Sequence, residues 1–161
     1  MALLPVAGMK LYQGAVMNDQ ASDFVEADFI AANASPDSWV LVDGWEQMGP
    51  VGDAAADIAT TLINRGRTVH QKGTADAPPM SNVFAILPSD PGQIALIAAG
   101  KPSVKDNYSY KILGNETGTP SKLYFIGLVM GTPEQGGGAN TVRKLTANIQ
   151  INSNVVHVAA A

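Results

Sequence analysis

There is no cysteine among the 161 residues, so disulfide staples and thiolate metal sites are both excluded. Charge is scarce as well. Asp, Glu, Lys and Arg make up 15% of the chain against 46% hydrophobic residues, where soluble domains average about 25% charged. A surface so short of charge is either poorly solvated or covered, which points to self-association. The balance is acidic, with 10 Lys and Arg against 14 Asp and Glu, so the chain lacks the basic footprint needed to neutralise phosphates. Aromatic residues are 6%, too few and too scattered for a base-stacking platform. No apolar run approaches the ~18 residues needed to span a bilayer. The start, Met1 to Lys10, places its one charged side chain after the apolar stretch and is interrupted by Pro5, the wrong order for a signal peptide. The expectation is a soluble protein made in the cytoplasm, and the sequons at Asn33, Asn107 and Asn115 read as chance.

What is present reads as one domain over residues 1–161, mainly β. Residues 1–8 form a flexible N-terminal arm. Met9–Val16 suits a strand, residues 18–37 match neither the helical nor the strand period, and Ser38–Asp43 is a strand bounded by turn residues. Glu46–Ala59, with Gly49-Pro50, Gly52 and a run of small residues, reads as a long loop containing at most a helical turn. Thr60–Ile63 and Thr68–Gln71 flank a turn at Asn64–Arg67, and Thr74–Pro79 is loop. After a strand at Asn82–Leu87 comes the single clear helix. Asp90 is its N-cap, Pro91 takes the first helical position and Gly100 ends it. Ile94 and Ile97 are candidate core contacts of that helix. Tyr108–Leu113 and Lys122–Met130 are strands, the latter apolar on both faces. A glycine-rich loop, 131–140, leads to Thr141–Ile151, where Leu145, Ala147, Ile149 and Ile151 share one face and Lys144, Thr146, Asn148 and Gln150 the other. A short strand, Val155–Val158, closes the chain. The pattern predicts an antiparallel β-sandwich or open barrel with one short α-helix.

Motifs that carry chemistry are missing. Asp53 and Asp57 would share a helix face, but small residues around them leave nothing to desolvate either carboxylate and raise its pKa. Gly136–Gly138 lacks the Lys-Ser/Thr ending of a phosphate loop and precedes a strand. His70 and His157 have no carboxylates at ligand spacing and no neighbouring nucleophile. Arg65 and Arg67 are turn charges, open to a carboxylate on a partner. The expectation is no enzyme, no catalytic residue, no cofactor and no metal.

Several pieces, read in order, resemble the major tail tube proteins of long-tailed bacteriophages such as lambda. These are Trp39-Val-Leu-Val-Asp43, Phe84 to Gly100 with its strand, proline and capped helix, Tyr108 to Asn115, Phe125 to Val129, and Asn140 to Ile151 after the glycine-rich loop. The similarity spans about Ser38 to Asn154, and its specificity lies in the order and spacing of the pieces. The same tube fold is shared with the Hcp tube of type VI secretion.

The resemblance implies a structural virion protein whose sheets close into a β-barrel ring on oligomerisation. Six copies would form a ring, and stacked rings the channel for DNA ejection. Closing the sheet across subunits removes exposed strand edges. The implied partners are further copies of the chain, a tape measure protein, a tail terminator and distal tail proteins, with DNA only passing through and no membrane. The implied location is the phage tail, after assembly in host cytoplasm. Glu46, Asp53, Asp57, Arg65, Arg67 and Lys72 are the candidate contacts between subunits or rings. Lys144, Thr146, Asn148 and Gln150 are the candidate lumen-facing residues. The alternatives are a secretion-type tube, another virion tail component such as a completion protein, or a small β-sandwich binding module.

Overall fold

The computed structural model describes residues 3–161. In chain order the elements are β1 (Lys10–Val16), α1 (Glu26–Ala32), β2 (Val40–Val42), β3 (Trp45–Gln47), β4 (Ala54–Leu62), β5 (Arg67–Asp76) and β6 (Met80–Ala85). There follow α2 (Pro91–Ala99), β7 (Tyr108–Leu113), β8 (Lys122–Gly131), β9 (Glu134–Gln135), β10 (Lys144–Ile151) and β11 (Val156–Val158). One antiparallel sheet runs β2-β1-β7-β8-β10-β6-β3, with β11 beside β8 and β9 beside β10, while β4 and β5 pair only with each other.

Two corners fold this sheet onto itself. The strands at its two ends, β2 and β3, are separated only by Asp43 and Gly44, so one bent segment reaches both ends. Gly44 has φ +79, and a Cβ there would lie 2.6 Å from the carbonyl of Ala85, so glycine alone makes this bend. β8 is the other corner. Up to Gly127 it pairs with β7, and from Gly127 onward with β10. A Cβ at Gly127 would lie 2.8 Å from Ile149, and its absence lets the strands cross closely. The result is two layers joined at corners by strands that switch between them. One layer holds β2, β1, β7, the first half of β8, and β11. The other holds β3, β6, β10, the second half of β8, and β9. The expected sandwich or open barrel is a curled sheet that is both.

The core between the layers comes from alternate strand positions. Leu11, Phe84, Tyr110, Phe125, Leu145, Ala147 and Ile149 are all buried. Tyr110 stacks on Phe125 at 5.5 Å and Trp45 on Phe84 at 6.5 Å. Fully burying each large apolar side chain is worth about 1.5–3 kcal/mol. Burial pushes the Tyr110 phenol well above its usual range, with the neighbouring Tyr108 a smaller cause. Its hydroxyl contacts the side-chain oxygen of Gln13 at 3.4 Å. α2 seals the gap between the layers. It packs on β1, β2 and β8, and Gln93 donates to the carbonyls of both Asp43 and Ala85 at 2.8 Å.

The expected helix is found at Pro91–Ala99, with the Asp90 carboxylate accepting from the Gln93 amide at 2.9 Å. Its buried residues differ from the expectation. Leu96 and Ala99 enter the core, whereas Ile94 and Ile97 are 53% and 40% exposed, because the helix presents its Gly92-Leu96-Ala99 side to the gap. A second helix, α1, fills part of the ambiguous stretch 18–37. The long loop expected at Glu46–Ala59 is not one: it contains β3 and the start of β4, leaving only residues 48–53 irregular. Likewise β5 runs through Asp76 into the expected loop at 74–79. Ala54–Ala56 have little strand propensity, and cross-strand pairing imposes the extended state. In the glycine-rich loop, β8 extends to Gly131 and β9 pairs with Lys144 and Leu145. Of the N-terminal arm, residues 1 and 2 lie outside the described residues. Pro5 and Ala7 are held by the Asn115 side chain, which donates to their carbonyls at 2.8 and 2.7 Å.

Candidate functional site

Three surfaces differ from an ordinary solvated exterior. The first is the outer face of the β1-β7 layer, which is covered where β8 carries Tyr124 and Ile126. Tyr124 and Ile126 of β8 point away from the core into a second apolar cluster with Met17, Phe24 and Phe29. Phe29 of α1 stacks on Tyr124 at 5.3 Å and meets Phe24 at 5.5 Å. At the end of α1, buried Asn33 accepts from the Ala15 amide at 2.7 Å and donates to the Phe29 carbonyl at 3.1 Å. Lys111 lies between two rings, its amine 4.5 Å from Tyr12 and 5.0 Å from Trp39. Burial, and then the nearby charge of Lys122, lower its pKa.

The second surface is the outer face of the β10-β6 layer, where α2 touches only the end of β6, through the Gln93 bond to the Ala85 carbonyl. Strand β10 alternates as expected, with Leu145, Ala147, Ile149 and Ile151 buried and Lys144, Thr146, Asn148 and Gln150 half-buried on the other face. Beside them on this face lie Ala85, Val83 and Ser81 of β6 and Leu128 of β8. The polar groups here are hydroxyls and amides. The charges are Lys144 and Glu46, 3.6 Å apart, so the pair is close to neutral.

The third surface is the β4–β5 hairpin, exposed along nearly its whole length. A lone two-stranded hairpin is marginal in water. Its faces are unlike. Asp57, Ala59 and Thr61 pair with Lys72, His70 and Thr68 on one side, and Ile58, Thr60 and Leu62 with Gln71, Val69 and Arg67 on the other. On the polar side the His70 ring nitrogen is 2.9 Å from the Asp57 carboxylate, and the Thr61 and Thr68 hydroxyls are 3.1 Å apart.

The structure therefore brings Asp57, Arg65, Arg67 and Lys72 onto one hairpin, with Arg65 at its turn. Asp53 lies at the hairpin base, lining a hollow with Asp23 and Asp76. Glu46 stands apart, across the β10-β6 face. His70 escaped the sequence reading because Asp57 is thirteen residues away and only the hairpin joins them. Equal strand lengths counted outward from the 64–67 turn would have revealed it. Among the described residues no group of three or more His, Cys, Asp or Glu is placed to hold a metal ion, and no helix is long and apolar enough to cross a membrane.

By sequence the chain matches no family model and no curated protein. Solved structures do resemble it. A chain of the anti-feeding prophage baseplate aligns with TM-score 0.71 and 10% identity over 99% of this chain and 98% of the other. A chain from the sheath/tube terminator of the PVC extracellular contractile injection system aligns with TM-score 0.69 and 8% identity over 99% of each chain. The SPP1 tail tube protein aligns with TM-score 0.62 and 12% identity over 96% of this chain and 80% of its own. At such identities the likeness is one of fold: the chain has the tail-tube fold of phage tails and contractile injection particles.

Proposed function

We propose that this chain is the repeating structural subunit of a phage-like tail tube, without catalytic activity of its own, and that six copies form each ring. The observation that carries the reading is the β10-β6 face: polar, nearly neutral and largely uncovered on a sandwich whose other face is partly covered by aromatics. Facing inward, it would line a wet channel. Lys144, Thr146, Asn148 and Gln150 are then the lumen residues, and with Lys144 offset by Glu46 the wall neither grips nor strongly repels DNA. Six layers of four strands give about 24 strands. At ~4.8 Å spacing and ~40° tilt these close at a backbone diameter of roughly 50 Å, which admits a DNA duplex.

The hairpin supports stacking. Its apolar side, with Ile58 exposed and Leu62 and Val69 half-buried, would gain a further partner in an assembly. Asp53, Asp57, Arg65, Arg67 and Lys72 supply polar contacts to neighbouring copies, each worth ~0–1 kcal/mol at a wet interface but repeated around every ring. Tape measure, terminator and distal tail proteins are the further partners this role requires, and its place is the tail of a particle assembled in host cytoplasm. A second reading, the tube of a contractile injection particle, is favoured by the higher TM-scores and near-complete mutual coverage with the injection-particle chains.

Negative-stain microscopy of concentrated purified protein tests the tube. Six-fold rings or hollow tubes are expected, and a monomer that persists at the highest concentrations overturns the reading. A sheath around tubes recovered from native particles would select the contractile alternative.

A further inference from the structure

Asp43 is the only Asp or Asn of the sequence that is followed by glycine. With Gly44 it makes the β2–β3 corner, and three observations single the pair out chemically. Asp43 is exposed and Gly44 half-buried, so water reaches the carboxyl group. The Gly44 nitrogen is 2.8 Å from an oxygen of the Asp43 carboxylate, the short-range contact that Asp makes with the backbone after it. Among the described residues that nitrogen has no other acceptor, so no strand ladder competes for it. Glycine has no Cβ to shield its nitrogen, and the corner admits no larger residue, as the close approach to the Ala85 carbonyl shows. The bend that the fold requires therefore sets an unshielded amide against a carboxyl group.

We propose that Asp43 is a site of spontaneous isomerisation, converted to isoaspartate through a succinimide closed with Gly44. The Gly44 nitrogen forms a bond to the side-chain carboxyl carbon of Asp43. One carboxyl oxygen leaves as water, taking the amide proton and a second proton from solvent. Water then opens the five-membered ring at one of its two carbonyls. Opening at the side-chain carbonyl restores aspartate. Opening at the main-chain carbonyl leaves the backbone running through the former side chain, one methylene longer, with the old main-chain carbonyl as a free carboxylate. Water is the sole co-reactant, and the net composition is unchanged.

The corner is fixed on both sides, so the added methylene must displace something. Val42 is in register with Leu11, and Trp45 with Phe84. Between them the Asp43 amide donates to Asp90 at 3.2 Å and its carbonyl accepts from Gln93 at 2.8 Å. A longer backbone shifts these anchors, so the isomerised chain loses part of the hold between α2 and the corner and is less stable.

The test is to keep the purified protein for weeks in warm neutral buffer and map its peptides. The fragment holding residue 43 is expected to split into two forms of equal mass. The new form should resist the protease that cuts before aspartate and accept a methyl group from an isoaspartate-specific methyltransferase. It should accumulate faster than at any other aspartate, and the isomerised protein, separated by ion exchange, should unfold at lower urea. Asp43→Asn is expected to react faster, expelling ammonia with a change of mass. Asp43→Glu, which would need a six-membered ring, is expected to abolish the reaction while leaving the exposed position folded. Isoaspartate at residue 43 in urea-unfolded but not in folded protein would overturn the proposal, because the fold would then protect the pair. Isoaspartate accumulating equally in Asp43→Glu would place the site elsewhere and overturn it as well. An unchanged urea midpoint for the isomerised chain would overturn the loss of stability assigned to the corner.

Discussion

The two layers of this sandwich share one core but have opposite exteriors. Outside β7 and the first half of β8, Phe29 lies over Tyr124 and Ile126, and the helix carrying it turns the sheet face into a second core. Outside β10 and β6 the same pleat presents Lys144, Thr146, Asn148 and Gln150, half-buried, with Gln150 donating to the Ala77 carbonyl at 3.0 Å and Lys144 paired with Glu46. β8 contributes to both, since Tyr124 and Ile126 are buried under α1 while Met130, on the same side further along, is exposed. A stable monomer would require only that each face be either covered or well charged. One face is instead largely covered and the other left polar but almost uncharged, the contrast on which the proposed channel reading rests.

The comparison breaks first at Phe29. It is fully buried, and Phe29→Ala removes the ring that closes the outer cluster, so a cost of about 3–5 kcal/mol is expected, read from urea denaturation of the monomer. A cost below about 1 kcal/mol would mean that α1 rests loosely and the face is not sealed. Next come Leu96 and the two isoleucines beside it on α2. Leu96→Ala should cost about 2–5 kcal/mol. Ile94→Ala and Ile97→Ala, half-exposed, should each stay below about 1.5 kcal/mol unless assembly covers them. Equal losses for all three in the monomer would contradict the placement of the helix in the gap. Asp90→Ala should lower stability by about 0.5–2 kcal/mol. The upper end is expected, because the same carboxylate also accepts from the Asp43 amide at 3.2 Å and so ties the β2–β3 corner to the helix.

The sequence made some of these features legible and hid others. β10 could be read because its burial depends on its own alternation, and α2 because Asp90, Pro91 and Gly100 mark its ends locally. The alternation of β10 and the bounds of α2 both followed from local chemistry. The hairpin was half-read. Thr60–Ile63 and Thr68–Gln71 carry β-branched residues, but Ala54–Ala56 become strand only through pairing with residues 75 and 76, a non-local cause. α1 was hidden for a related reason. Among its seven residues only Phe29 is buried, so no apolar stripe of helical period exists to be found. The Glu46–Lys144 pair depends on register between strands distant in sequence, which the list of charged residues could not supply, whereas the Asp57–His70 pair needed only the register of one hairpin.

The smallest expected effect is the most discriminating, because it compares two asparagines brought together by the β10–β6 register. Asn148 is opposite Ser81, and Asn82 opposite Ala147, so the two amides leave the same ladder on opposite faces. Asn82 is fully buried, and its side-chain oxygen accepts from the Trp45 indole at 3.2 Å and the Gly49 amide at 3.0 Å. Asn82→Ala orphans the buried Gly49 amide and the half-buried Trp45 indole and should cost about 1–3 kcal/mol. Asn148 is half-buried on the outer face and makes no side-chain hydrogen bond within the described residues, so its removal leaves no protein donor or acceptor without a partner. Asn148→Ala should therefore leave the monomer within about 0.5 kcal/mol of the parent, and rings should still form, because a channel wall contacts no other subunit at that position. If Asn148→Ala costs as much as Asn82→Ala, the face is already desolvated in the monomer and is not a wall awaiting a channel. If stability is unchanged but ring formation is lost, the β10-β6 face is a contact surface between copies, and the lumen must lie elsewhere.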